Sequence, residues 1–466
     1  MDPISPELAA QWCRGTWQPR PPVAPLAAVG TDSRRAESGQ LFFALQGDKA
    51  DGHDFLGAVC AAGASAVVRA DFPLDRLPAG GFFLRVDNVR AALGRLAAGY
   101  RATLPARIVG VTGSVAKTTT KELIADLLAT VGRTARTAGN HNNEIGLPLS
   151  VVGIGRDCAF AVIEAGISHP GEMALLRDIL RPDIAVVTAI GPAHIEFFGS
   201  ERAIAEEKAA LLEQLPADGC AVLDADDAQF AVLRARSSAP VVTCSLQRRE
   251  ADYAGDVQAD GRLWVCERAT GETATLPVPP PAGFMAENVL RAVAVARQCG
   301  VSWGALATAL ARTVPVGLRW AVGEVHGWTA INDAYNANPL SMCAALKAFA
   351  EWPVPGRKFL ALGAMLEQGE QTRAAHEALA RDVAAGTWAG VAVLAAESAQ
   401  TRMAAGVLAE GLGRGGWPAD RLCRAAAPAE AAAWLRARLQ PGDALLLKAS
   451  RGVAIERVLE ELQKEN

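Results

Sequence analysis

The chain lacks any apolar run approaching the roughly 20 residues needed to cross a bilayer. Its opening, MDPISPELAAQWCRG, lacks the basic flank and apolar stretch of a secretory signal. A cytoplasmic protein without membrane insertion is the expectation. There is no basic surplus either: 46 Lys and Arg against 50 Asp and Glu leave a net charge of −4 at pH 7. No electrostatic footprint for nucleic acid is present, so none is expected as a partner. Cysteine pairing is missing as well. The nine cysteines stand singly, with no CxxC or Cys/His spacing. This excludes a sequence-evident zinc site or disulfide framework and fits reduced, mostly buried thiols. Composition is otherwise ordinary, 50% hydrophobic and 21% charged, which argues against extended disorder. With 466 residues, the chain exceeds what one core can serve, and two or three domains are expected.

The pattern along the chain divides it into three α/β units, without internal repeats. The first, 1–104, mixes short apolar runs (ASAVVRA, GFFLRV) with polar turns and ends in the linker RATLPAR. The second, 105–315, alternates strands (IVGVTGS, CAFAVIEAG, IAVVTAIG, CAVLDADD) with helices (TKELIADLLATVG, MALLRDIL, AIAEEKAALLEQL). Continuous apolar strands separated by amphipathic helices indicate a mostly parallel, doubly wound sheet. The stretch from Tyr253 to Val278 is polar and turn-rich and reads as an antiparallel appendage; PVPPPAG closes it and ENVLRAVAVARQCG restarts a helix. The third unit, 316–466, has strands TAIND, KFLALG, GVAVLAA and ALLLKAS, which predict a Rossmann-like sheet.

The most informative stretch is GVTGSVAKTTTKE, Gly110 to Glu122. A strand runs into a tight turn and then into a helix opening with Lys117 and Thr118. Amides at such a junction point at an anion, and the helix dipole adds to the attraction. Lys117 would reach the outer phosphates of a nucleotide and the Thr118 hydroxyl would ligate magnesium. Thr112, Gly113, Ser114, Val115, Ala116 and Thr119 complete the predicted cradle. The loop departs from the general phosphate-loop pattern, with Ala116 before the lysine and Val111 where the first glycine belongs. If position 116 is left-handed, its β-carbon costs roughly 1–2 kcal/mol, which weakens nucleotide binding without abolishing it.

Further words carry a resemblance: DSRRAESGQLFFAL, DGHDF, GNHNNEIGLPL, EAGISHPGEM, GPAHIEFFGS, INDAYNANPLSM and KASRG, spread from Asp32 to Gly452. With these in this order the chain resembles the Mur ligases. NDAYNANP is similar to the branch that adds D-alanyl-D-alanine to a UDP-linked muramyl tripeptide in peptidoglycan precursor synthesis. The resemblance implies a UDP-binding N-terminal domain, a central ATPase domain and a C-terminal Rossmann-like ligase domain. It also implies ATP and Mg2+ as cofactors, small-molecule substrates and a monomeric enzyme.

It assigns residues too. Glu164 ends a strand beside the phosphate-loop strand, the edge where α/β sheets place ligands, and would hold magnesium; a solvated strand-end Glu or helix cap is the plain alternative. His194, in a glycine- and proline-bounded turn, would help hold a second magnesium, against the reading of an exposed turn histidine. Lys208 matches a lysine that this family carbamylates, turning a cation into a metal-ligating carboxylate; the plain reading is a solvated Glu/Lys face. Asn288 resembles an adenine contact or is a polar residue near a helix start. Arg319 resembles an ATP contact or serves an interdomain ion pair. Asp333, Tyr335, Asn336 and Asn338 would face the ATP cleft, the two asparagines also touching the dipeptide. Ser33, Arg34, Phe43, Asp51, Gly52 and His53 resemble UDP-sugar contacts, and Asn142 and Asn143 further substrate contacts. Ala364 stands where the family usually carries an acid.

The implied chemistry is amide formation driven by ATP: the tripeptide carboxylate becomes an acyl phosphate, which the dipeptide amine attacks. A sister ligase with another acceptor, such as a folylpolyglutamate-type enzyme, is the nearest rival. A catalytically silent Mur-like binding protein is the rival of another class, kept open by Ala116 and Ala364.

Overall fold

The computed structural model describes residues 1–313 and 317–464, so the expected boundary at 315/316 lies outside the described residues. Three sheets follow one another along the chain. The first has five strands in the spatial order Thr16–Gln18, Phe83–Val86, Ser65–Arg69, Gln40–Phe43 and Ala28–Gly30. All its neighbours run parallel except the first pair.

The second sheet has nine strands, and the phosphate loop follows the third strand from one edge. Arg107–Thr112 lies between Ile184–Val187 and Phe160–Glu164, all parallel. Side chains alternate between its faces. Ile108, Ile163 and Val187 join the core shared with the first sheet, while Val109, Val111, Val162 and Val186 pack against helices Lys117–Leu128 and Ala282–Gln298. Burial on both faces is why these strands read as continuous apolar runs. The expected appendage is antiparallel, but it extends the main sheet. Tyr253–Val257 pairs parallel with Val241–Ser245, and Leu263–Glu267 and Glu272–Leu276 then fold back. The helix expected to restart at Glu287 begins at Ala282, directly after Pro281.

The third sheet orders Ala321–Val325, Trp328–Asn332, Ala444–Lys448, Lys358–Gly363, Gly390–Leu394 and Leu422–Ala425, parallel apart from its first pair. Cores lie on both its faces.

The first two units share one continuous core, and Arg101 locks them together by donating to the Leu180 carbonyl at 2.9 Å and pairing with Asp183 at 3.1 Å. The second and third units meet where Gln368 Nε2 donates to the Pro192 carbonyl and the Glu196 amide donates to the Glu367 carbonyl. All nine cysteines are free. Cys13, Cys158, Cys220 and Cys244 are buried, Cys60, Cys266, Cys299 and Cys423 partly so, and Cys343 is exposed. Among the described residues no helix is long and apolar enough to cross a membrane.

Candidate active site

A cleft of about 650 Å3 opens between the carboxyl edge of the second sheet and that of the third. The phosphate loop forms its floor. Gly113 adopts φ +150°, and a β-carbon there would stand 1.9 Å from Thr188 Oγ1, so only glycine fits. Ser114 anchors the turn, its amide donating to the Ala189 carbonyl (2.7 Å) and its hydroxyl to the Gly191 carbonyl (2.9 Å). Ala116 is left-handed, φ +62°, which meets the condition under which its β-carbon carries a strain cost at a position where glycine is usual. Helix Lys117–Leu128 then starts with no side-chain cap, which leaves its first amides open to an anion. Lys117 Nζ donates to the Gly113 carbonyl at 2.9 Å.

Glu164 is 1% exposed, so neither a solvated strand end nor a helix cap describes it. Thr118 Oγ1 donates to its Oε2 and Asn142 Nδ2 to its Oε1, each at 2.7 Å. The Glu164 amide donates to Thr137 Oγ1, fixing the strand end. Beneath this group lies Lys208, on helix Glu201–Ala209, which Ser200 caps by accepting from the Ala203 amide. The plain alternative of a solvated Glu/Lys face does not hold at this residue: Lys208 is 2% exposed. Its ammonium has no hydrogen-bond acceptor among the described residues. Burial pushes its pKa well down and nearby Lys117 adds to this, against Glu207, Glu164 and Glu172. Lys117 is lowered too, by burial first, with Glu164 opposing and Arg319 reinforcing. His194 is left-handed (φ +57°) and only partly exposed, its Nδ1 2.7 Å from Glu367 Oε2 of the third unit. That neighbour, more than burial, sets Glu367 below the usual carboxylate range.

The facing wall comes from NDAYNANP. Asp333 pairs with Lys448 at 2.6 Å, and Lys448 also donates to the Asn336 carbonyl. Asn338 caps helix Pro339–Glu351 reciprocally with Ser341. The Arg319 guanidinium stacks over the Tyr335 ring, 3.9 Å from its centroid, and Arg319 forms no interdomain ion pair among the described residues. Asn288 is buried in mid-helix, not at a helix start. Its Oδ1 receives Thr120 Oγ1 and Arg291 Nη1, and its Nδ2 donates to the Phe284 carbonyl. Asn143 lines the cleft and accepts from the Gly146 amide.

Thus Ser114 to Thr119, Asn142, Asn143, Glu164, His194, Asn288, Arg319, Asp333, Tyr335, Asn336 and Asn338 line one cleft. Thr112 is fully buried at the strand end and touches no open space. Sequence reasoning missed Glu287, Arg291, Trp320 and Lys448, which line the same cleft. Lys448 alone had a signal, sitting in KASRG at a strand end.

The N-terminal set stands apart from this cleft. Ser33 starts a short 3-10 turn capped by Asp32, whose pKa the Arg34 guanidinium holds down to about 2 through paired hydrogen bonds. Asp51 caps the Gly52–Phe55 turn, and Gly52 is required because a β-carbon would meet the Ala44 backbone at 2.8 Å. Two expectations need correction. The Phe43 side chain is wholly buried in the core and is not presented to the surface. His53 has both ring nitrogens engaged, Nδ1 with Asp51 Oδ1 at 2.6 Å and Nε2 accepting from the Arg69 amide. It braces the turn.

Among the described residues no group of three His, Cys, Asp or Glu side chains gathers to hold a metal. The donor set at the phosphate loop is one carboxylate and one hydroxyl, each 2.7 Å from the other's oxygen. That fits magnesium, which is usually held by one or two carboxylates plus substrate phosphates.

Family sequence models match in chain order over most of the length: "Mur ligase family, catalytic domain" over 25–101, "Mur ligase middle domain" over 111–296 and "Mur ligase, glutamate ligase domain" over 319–451. The UDP-N-acetylmuramoyl-tripeptide–D-alanyl-D-alanine ligase of a Synechocystis species is 36% identical, over 94% of this chain and 92% of that one. A crystal structure of MurF from Acinetobacter baumannii superposes with a TM-score of 0.87 at 26% identity, covering 100% of both chains. That of MurF from Thermotoga maritima in complex with ADP gives 0.80 at 29% identity, covering 94% of this chain and 98% of that one. With the strand–loop–helix cradle, the facing NDAYNANP wall and relatedness end to end, the chain belongs to the Mur ligase family.

Proposed function

We propose that this chain is an ATP-dependent ligase joining D-alanyl-D-alanine to UDP-N-acetylmuramoyl-tripeptide in peptidoglycan precursor synthesis. The observation that carries the reading is the phosphate loop, with Lys117, Thr118 and buried Glu164, facing NDAYNANP across one cleft. The names of the relatives support the substrates, and the ADP complex of the Thermotoga protein supports the nucleotide. We place the domains at 1–104 for the UDP-sugar, 105–315 for ATP and 316–466 for the ligase fold, in a cytoplasmic monomer.

In the first step a tripeptide carboxylate oxygen attacks the γ-phosphorus. An O–P bond forms, the bond to the β-phosphate oxygen breaks, and ADP leaves. The dipeptide amine, free of its extra proton, then attacks the acyl carbon. A C–N bond forms, a proton leaves the nitrogen, and the C–O bond to phosphate breaks. Lys117 and the open amides of the loop balance charge on the moving phosphoryl group. Arg319, across the cleft, adds a second cation. Thr118, Glu164, His194 and a carbamylated Lys208 would hold magnesium, which supplies further charge neutralisation when bound. Lys208 suits carbamylation because burial favours its neutral amine. That amine adds to carbon dioxide, forming an N–C bond and losing a proton, and the buried neutral amine becomes an anion near Glu164. Walls from two domains exclude the water that would hydrolyse the acyl phosphate.

The acceptor is tested by offering D-alanyl-D-alanine and single amino acids separately with the UDP-tripeptide and counting ADP. Release confined to the dipeptide supports the reading. Equal release with a single amino acid assigns the chain to a sister activity.

A further inference from the structure

We propose that Glu367, carried by the third unit, is a positioning residue for His194: it fixes the imidazole N–H at Nδ1 and so leaves the Nε2 lone pair to the cleft. The inference rests on the ligase reading, in which His194 holds magnesium, and deepens it. Residues 365–369 are built to deliver this carboxylate. The Met365 amide donates to His376 Nε2 and the Leu366 amide to Ser450 Oγ, each at 2.9 Å, which ties the loop to its own unit. Its tip then meets the turn 192–196 of the second unit. Gln368, 2% exposed, donates to the Pro192 carbonyl at 3.3 Å, and the Glu196 amide donates to the Glu367 carbonyl at 3.3 Å. Gly369 lies at φ +52°, and a β-carbon there would stand 3.1 Å from Glu196 Cα, so the two backbones approach closely. Glu367 and His194 are themselves left-handed, at φ +60° and +57°. Backbone of this kind persists only where its surroundings over-determine it, and it gathers at functional sites.

Chemistry at this contact sets the ring. His194 Nδ1 is buried and stands 2.7 Å from Glu367 Oε2, off the straight line of a hydrogen bond and with no other partner among the described residues. Catalytic contacts are often poorly aligned until ligands tighten them. A neutral imidazole carries one N–H, and a lone pair turned to a carboxylate at this distance would oppose two acceptors. The N–H therefore belongs at Nδ1. His194 lines the cleft, and Nε2 is the nitrogen left to it. Histidines that hold metals usually donate their other ring N–H to a carboxylate or carbonyl. Here that carboxylate comes from a different unit, so the ring is set only while the third unit is seated against the second.

The test begins with 15N-histidine NMR of the full chain, free of metal and nucleotide, in buffer alkaline enough to keep imidazoles neutral. His194→Ala assigns the resonance, and melting curves check that each variant folds. The parent is expected to carry the His194 proton at Nδ1. Glu367→Gln, whose amide oxygen still accepts, should keep that form, and Glu367→Ala should release a mixture of both tautomers. A second arm measures Mn2+ binding by electron paramagnetic resonance with a non-hydrolysable ATP analogue present. Glu367→Ala should weaken it by about 10–100-fold and Glu367→Gln by only about a few-fold. An unchanged Nδ1–H tautomer in Glu367→Ala overturns the assignment. Where His194→Ala weakens Mn2+ binding, a Glu367→Ala affinity within about twofold of the parent's overturns it too. Should His194→Ala leave Mn2+ binding at the parent's level, the magnesium role of His194 falls instead, and the tautomer comparison alone decides the positioning by Glu367.

Discussion

At Ala116 a β-carbon occupies a left-handed position in the loop that is to hold the phosphates. Relieving it with Ala116→Gly should recover up to about 1 kcal/mol, less than the full strain because glycine also loosens the unfolded chain. ADP titration is expected to show up to a several-fold gain in affinity; weaker binding would mean the alanine contributes a contact that this account lacks. Lys208 provides a pH test. Its folded-state pKa is depressed well below the ordinary 10.5, so the unfolded chain binds more protons over the interval between those two values. Stability attributable to this lysine is therefore fully present above pH 10.5 and falls as pH drops through the folded value. In carbon dioxide-free buffer, Lys208→Met should flatten that part of the melting-temperature profile, and a slope equal to the parent's would contradict it. With bicarbonate restored, parent activity should rise while Lys208→Met stays inactive. Neither burial nor charge environment at Lys208 was readable from IAEEKAALL. Glutamate and lysine at helical spacing look like a solvated face, and only packing of this helix under the second sheet reverses that.

The strand–loop–helix element was legible because each part has a local cause. The apolar strand, the turn glycine and the helix opening with Lys117 and Thr118 are all written in neighbouring residues, although what bars a β-carbon at Gly113 is the distant Thr188. Helix Ala399–Arg414 was not. Its sequence carries Gly406, Gly411 and Gly413, which lower helix propensity, yet a β-carbon on Gly411 would stand 2.6 Å from that of Ala380. The glycine serves close approach of two helices, a tertiary reason that local pattern does not reveal. The same holds for Phe43: the word LFFAL marks the strand, but only the sheet's register decides that Phe43 points into the core. Helix Pro339–Glu351 gives an element-scale prediction. Its cap is reciprocal between Asn338 and Ser341, so Asn338→Ala should cost about 1 kcal/mol in urea unfolding of the third unit. A loss of dipeptide-dependent turnover well beyond what that destabilisation explains is also expected, since Asn338 lines the cleft. Unchanged turnover would remove Asn338 from the acceptor site.

At the scale of the whole molecule, the cleft is shared by two sheets, and its two walls meet through His194–Glu367 and the Gln368–Pro192 contact. The chain between the walls passes through Gly317, at φ +69°. Closure on nucleotide and tripeptide together should protect this segment from limited proteolysis, and equal cleavage with and without them would contradict closure. The arrangement of three α/β units was legible as rhythm along the sequence. The pairing of Arg319 with Tyr335, and the approach of Lys448 to Asp333 across 115 residues, were not, because they join strand ends distant in the chain. The account as a whole rests on transfer of phosphate to the tripeptide carboxylate. The most direct measurement uses UDP-tripeptide with 18O in its terminal carboxylate, ATP, magnesium and D-alanyl-D-alanine, with mass spectrometry of the phosphate released. The account predicts one labelled oxygen in each phosphate and one retained in the amide; unlabelled phosphate, or no phosphate at all, would contradict it.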